Sequence, residues 1–97
     1  MIRALRPVVP VIEAQDRDLA DQIRRAASSV ALNLGEGQRS EKGNKRKHYA
    51  VAHGSANEVR AALLTAVAWG WLEDASEVLA RLDRLLALLW RLTHPRA

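Results

Sequence analysis

Cysteine is absent from this 97-residue chain. That excludes disulfide staples, thiolate metal sites and cysteine nucleophiles. Phenylalanine is absent too, and there is one tyrosine and one methionine, so the core has to come from Leu, Ala, Val, Ile and three Trp. No apolar run reaches the roughly 18 residues of a membrane span, and the start of the chain lacks the long apolar stretch of a signal peptide. A cytoplasmic protein with no membrane association is the expectation. What remains is 48% hydrophobic and 27% charged, the composition of one foldable globular domain covering 1–97.

Charge is unevenly placed. Residues 1–48 hold ten basic and six acidic side chains, and residues 49–97 hold five of each. The window from Arg39 to Lys47 has five cations and one anion, which equals the net +4 of the whole chain. Concentrated charge makes a field that a polyanion feels, whereas scattered charge serves solubility.

Periodicity organises the rest. Pro7 and Pro10 predict an arm over 1–15, extended or with a short helix from Pro10 to Gln15. Leu19, Ile23, Ala26, Val30 and Leu34 mark one face of a helix over 17–35, capped by Asp16 or Asp18 and stopped by Gly35 and Gly37. A long helix over 41–70, capped by Ser40 or Asn44, has a small-sided seam of Ala52, Ala56, Val59, Leu63, Ala66 and Gly70. A second stripe of Tyr49, His53, Leu64, Val67 and Trp71 adjoins it. The last helix, over 75–93, is capped by Asp74 or Ser76, is rich in leucine and ends before Pro95. No strand pattern and no internal repeat occurs, so the fold class is all-α. A short bundle with a truncated first helix leaves apolar faces uncovered, and an oligomer is expected. Trp69, Trp71 and Trp90 read as core fillers before interface or stacking residues, with Trp69 and Trp71 on different sides of a helix.

Signatures of chemistry are missing. His48, His53 and His94 lack the i, i+4 pairing of two ligands on a helix, and no Glu-x-x-His motif occurs. Gly35-Glu36-Gly37 lacks the downstream glycine and the Lys-Ser/Thr of a phosphate loop. The Arg-x4-His pattern of certain small helical ribonucleases fails, because Gly43, His48 and Leu89 stand five residues before the three histidines. No enzyme activity, metal or cofactor is expected. His53 reads as a hydrogen-bonded packing residue. Glu36 and Glu58 read as partly buried carboxylates held by an ion pair with Arg24, Arg25 or Arg60 or by a turn-fixing hydrogen bond, since an unpaired buried charge is costly. Asn33 reads as a capping or turn residue.

Arg39, Lys42, Lys45, Arg46 and Lys47 are the candidate nucleic-acid contacts, with Arg24 and Arg25 as contributors. Amide groups at the start of the long helix add positive partial charge in the same direction. Neutralised phosphates release counterions, which gives affinity without base reading. Only Tyr49 and a Trp could stack on bases. An assembly or adaptor protein, whose basic segment docks an acidic protein and has no nucleic-acid role, is the alternative.

The segment Asp21-Gln-Ile-Arg-Arg-Ala-Ala, the turn Asn33-Leu-Gly-Glu-Gly37, the element Gly54-Ser-Ala-Asn-Glu58 and the closing Gly70-Trp-Leu72 resemble the 23S rRNA intervening-sequence protein family, also called the four-helix bundle protein family. The resemblance implies an antiparallel up-down four-helix bundle that assembles as a homopentamer. It also implies likeness to the accessory protein of diversity-generating retroelements, a basic pentamer that binds nucleic acid and a reverse transcriptase. Asn33, Glu36, Gly37 and Glu58 fall on the family's recurrent motif, with structural roles. The chain departs from the pattern in its shortened, proline-containing first helix, in Gly35, and around Gly43.

Overall fold

The computed structural model describes residues 1–94, so Pro95, the expected stop of the last helix, lies outside the described residues. Among the described residues are five helices: α1 (Ile2–Leu5), α2 (Val9–Glu13), α3 (Arg17–Arg39), α4 (Lys42–Ala68) and α5 (Ser76–Thr93). They form a helical bundle of 44 × 21 × 18 Å.

The first fifteen residues are not an extended arm. Leu5, Val9 and Ile12 are buried, at the steps of four and three that make one helix stripe. Pro7 lies in the turn that breaks this stripe into two short helices, and Pro10 sits in the first turn of α2, where a missing N–H costs little. α2 packs on α3 and α1 touches α5, so the two pieces bridge the outer helices.

α3 opens as expected. The Asp16 side chain accepts from the Leu19 backbone N–H at 3.0 Å, and Ala20, Ile23, Ala26, Ala27 and Val30 are buried. It does not stop at Gly35. The helix runs through both glycines to Arg39, and neither has a positive φ. At Gly37 the reason for glycine is space: a Cβ there would stand 2.6 Å from Cε1 of the buried Tyr49 ring on α4. The residue therefore allows a close helix crossing and does not act as a C-cap. Chain reversal comes three residues later, at the extended Ser40.

Neither expected cap of α4 is used. The Ser40 hydroxyl donates to the Glu36 carbonyl at 2.7 Å, Asn44 lies inside the helix, and the N-cap is Glu41 without a side-chain bond. The seam is fully buried at Ala52, Ala56, Val59, Leu63 and Ala66. Gly70, placed on that seam by periodicity, lies past the helix end at φ 79°. There the Trp71 N–H donates to the Ala66 carbonyl and the Gly70 N–H to the Val67 carbonyl, each at 3.0 Å. These two bonds are a Schellman cap, which needs a left-handed residue at Gly70. The same reversal overturns the expectation that Trp69 and Trp71 diverge: their rings stack at 5.7 Å and 14°. The carboxylate of Asp74 then accepts from the Ser76 N–H at 2.8 Å and is held below the ordinary Asp range by that bond. In α5, Val78, Leu82 and Leu89 carry the core face.

α3 packs on α4, and α4 on α5. Ser29 meets Ser55 while Asn33, one turn on, meets His48, so α3 and α4 run in opposite directions. Buried alanines on both faces allow the two helices to lie close together.

Two glycine substitutions test this account. Gly37→Ala is expected to destabilise by about 1–3 kcal/mol, the usual cost of overpacking a tight contact. Gly54→Ala, where nothing lies within 4 Å of the added Cβ, is expected to stabilise by about 0.5–1 kcal/mol. Urea unfolding of the two variants reads both signs.

Candidate nucleic-acid interface

The turn between α3 and α4 gathers the basic residues. Arg39 is the last residue of α3, Lys42 the first of α4, and Lys45, Arg46 and Lys47 occupy its first two turns. Arg39, Lys42, Arg46 and Lys47 are exposed and Lys45 is half-buried. At 100° per residue, Lys42 and Arg46 share a stripe of α4 while Lys47 falls on the far side. The cations thus ring the end of the bundle. Among the described residues the ion pairs are made by Arg24, Arg60 and Arg81, and none involves these five. They stand beside a helix N-terminus without a side-chain cap, and the acids nearest to them in sequence are Glu36 and Glu41.

Arg24 and Arg25 are not brought to this end. They lie 14 or more residues back along α3, roughly 20 Å at 1.5 Å per residue. Arg24 is held by Glu13 of α2 at 2.9 Å and by Asp21 at 3.2 Å. The hydrogen bond and charge of Arg24 pull the Glu13 carboxyl below its ordinary value, and the reciprocal bond raises the Arg24 guanidinium. Arg25 borders a shallow groove with Ser28, Ser29, Leu32 and Asn33.

The two acids expected to be partly buried are exposed. Neither Glu36 nor Glu58 has an ion-pair partner among the described residues, and Arg60 bonds Asp83 of α5 at 2.8 Å instead. Glu58 precedes the seam residue Val59 and is rotated about 100° away from the core, which is sufficient reason.

Asn33 is neither cap nor turn. It sits within α3 and joins a polar network that sequence reasoning missed. Its Nδ2 donates to the Ser29 carbonyl at 2.8 Å, and its Oδ1 lies 3.1 Å from His48 Nδ1. With Nδ2 donating, Oδ1 is the acceptor, so Nδ1 of His48 carries the proton. Ser29 Oγ in turn meets Ser55 Oγ at 2.8 Å. The network pins α3 against α4 one turn from the basic residues. Its one advance signal is serine on two alanine-lined helix faces.

The family model for 23S rRNA-intervening sequence protein matches residues 10–91, from α2 into the last turn of α5. The chain belongs to that family. No curated protein and no solved structure matches it. The matched span contains the basic turn, the Asn33 network and the Gly37–Tyr49 crossing of this family member. No helix among the described residues is long and apolar enough to cross a membrane. His53 is half-buried and lies 3.5 Å from Asn57 Nδ2 on its own helix.

A double-mutant cycle checks the network. Asn33→Ala and His48→Ala are each expected to cost about 1 kcal/mol. Because they share one bond, the double variant should fall short of additivity by about 0.5 kcal/mol or more. Strict additivity in chemical denaturation would mean that the two side chains do not interact.

Proposed function

We propose that this family member is a non-enzymatic, oligomeric helical-bundle protein, up-down in topology, that holds nucleic acid by its phosphates at the α3–α4 turn. The observation that carries the reading is the ring of five cations without ion-pair partners among the described residues. Contacts of this kind position a strand without reading its sequence. Oligomerisation is supported by apolar side chains left in solvent, Leu32 at 69% exposure and Val51, Leu64 and Leu88 at 41–45%. By sequence the tryptophans read first as core fillers, with Trp69 and Trp71 not both buried in one protomer; Trp69 and Trp90 are exposed and Trp71 is half-buried. Copies of the bundle would repeat the basic turn and turn weak contacts into avidity.

The same exposed side chains favour a second reading, an assembly or adaptor bundle with no nucleic-acid role, in which the basic turn meets an acidic protein. The two readings part at low salt.

Polynucleotide binding is expected to weaken steeply with salt, the logarithmic slope reflecting about 0.9 ions per phosphate neutralised on duplex DNA. The triple variant Lys45→Glu, Arg46→Glu, Lys47→Glu should lose most of the affinity and lower that slope by about 3 while circular dichroism stays unchanged. Equal affinity of the variant and the parent protein would refute the assignment. Light scattering is expected to give a multiple of the 10.8 kDa protomer; a lone protomer at working concentration would remove the oligomer from the proposal.

A further inference from the structure

Two stacked aromatic pairs lie on the surface, and they differ in their electrostatic surroundings. Trp69 and Trp71 stack at the α4–α5 elbow, next to Glu73 and Asp74. Trp90 stacks on His94 at the far end of α5, with ring centroids 4.2 Å apart and planes 12° from parallel. His94 Nδ1 lies 2.9 Å from the Trp90 carbonyl and 2.9 Å from the Thr93 hydroxyl, so the imidazole is pinned. Trp90 is still 52% exposed.

Helical register places this second pair relative to α4. Asp83 of α5 bonds Arg60 of α4, which marks the flanks on which the two helices meet. Trp90 is seven residues beyond Asp83, close to two full turns, and stands on the same flank of α5. His53 and Arg46, seven and fourteen residues before Arg60, keep the corresponding flank of α4, and Lys42 follows one turn further. The helices run in opposite directions here, because Leu89 packs with Tyr49 and Ala52 while Asp83 meets Arg60. Trp90 and His94 thus stand beside the stretch of α4 that leads through Arg46 to Lys42. Tyr49, the other stacking candidate, is buried under Gly37 and can receive no base.

We propose that the Trp90–His94 stack is a base-stacking platform, and that the ligand of the basic turn is an unpaired strand, its phosphates running along Lys42 and Arg46. The inference rests on the phosphate-binding reading above. It goes further in naming the class of nucleic acid. An indole face receives a base only where that base is not covered by its neighbours in a duplex, and stacking on aromatic side chains tolerates any base. Cations provide attraction to either form; the platform distinguishes them. The Trp69–Trp71 pair, set beside two carboxylates, repels a polyanion and acts as the internal control.

The experiment compares fluorescein-labelled 20-mers, single-stranded and annealed, for binding by anisotropy. The parent protein is expected to prefer the single strand. Trp90→Ala should weaken single-strand binding about tenfold, the scale of one lost stack, and change duplex binding by less than twofold. Trp90→Phe should keep most of the preference, and Trp69→Ala all of it. In a Trp69→Phe, Trp71→Phe background the remaining indole is Trp90, and its emission should be quenched by the single strand but not by the duplex, a readout that does not depend on the alanine variant folding. If the charge-reversed triple variant loses both ligands while Trp90→Ala loses neither, the platform is refuted and phosphate binding stands. If the parent binds neither, the phosphate reading itself fails. Binding of poly-glutamate as tight as that of the oligonucleotide, unchanged in Trp90→Ala, would point to an acidic protein and overturn the inference.

Discussion

The close crossing of α3 and α4 is the constraint on which the rest depends. Glycine at position 37 lets the Tyr49 ring lie against backbone, and alanines on both helices continue the approach below it. Small residues bring the axes together, but they bury little area each, so the pair gains less from hydrophobic transfer than a leucine seam would. Hydrogen bonds across the interface, between Asn33 and His48 and between Ser29 and Ser55, set its register. With that register set, the two-residue link at Ser40 and Glu41 has no freedom, and the cations on either side of it are held at one end of the molecule.

The same geometry explains why charge gathers there without cancelling. Acids near the middle of the bundle are within reach of arginines on neighbouring helices, as with Glu13 and Arg24 or Asp83 and Arg60. At the turn the helices end, and among the described residues no carboxylate pairs with the five cations. Exposed pairs of this kind add little stability, so their placement matters more for the field they leave than for the fold they support.

How much of this was legible in the sequence depends on the range of the interaction. The Asp16 cap and the buried seam from Ala52 to Ala66 are local patterns of one helix, and both are present as read. The errors fall where a residue's meaning is set by another element. Gly35 and Gly37 look like stops, but nothing local tells a glycine needed for a left-handed turn from one needed for space; Gly70 is the first kind and Gly37 the second. Trp69 and Trp71 diverge on an ideal helix and converge once the cap reverses the chain. The basic turn was visible as a cluster of residues close in sequence, whereas Arg24 and Arg25 look available until α2 brings Glu13 to Arg24. The Asn33 network and the setting of Trp90 need the register of two helices and have no local signature.

The interrupted first segment has a consequence of its own. Helices of four and five residues are far below the length at which propagation outweighs nucleation. α1 and α2 are ordered by docking, through Leu5, Val9 and Ile12 and the Glu13 bridge, and not by their own hydrogen bonds. Such a segment is expected to open before the long helices, its amides losing protection from hydrogen exchange ahead of those of α3 or α4. When it lifts, it uncovers the Ile23 and Ala27 face of α3, a strip of buried apolar surface that a neighbouring chain could then occupy in its place.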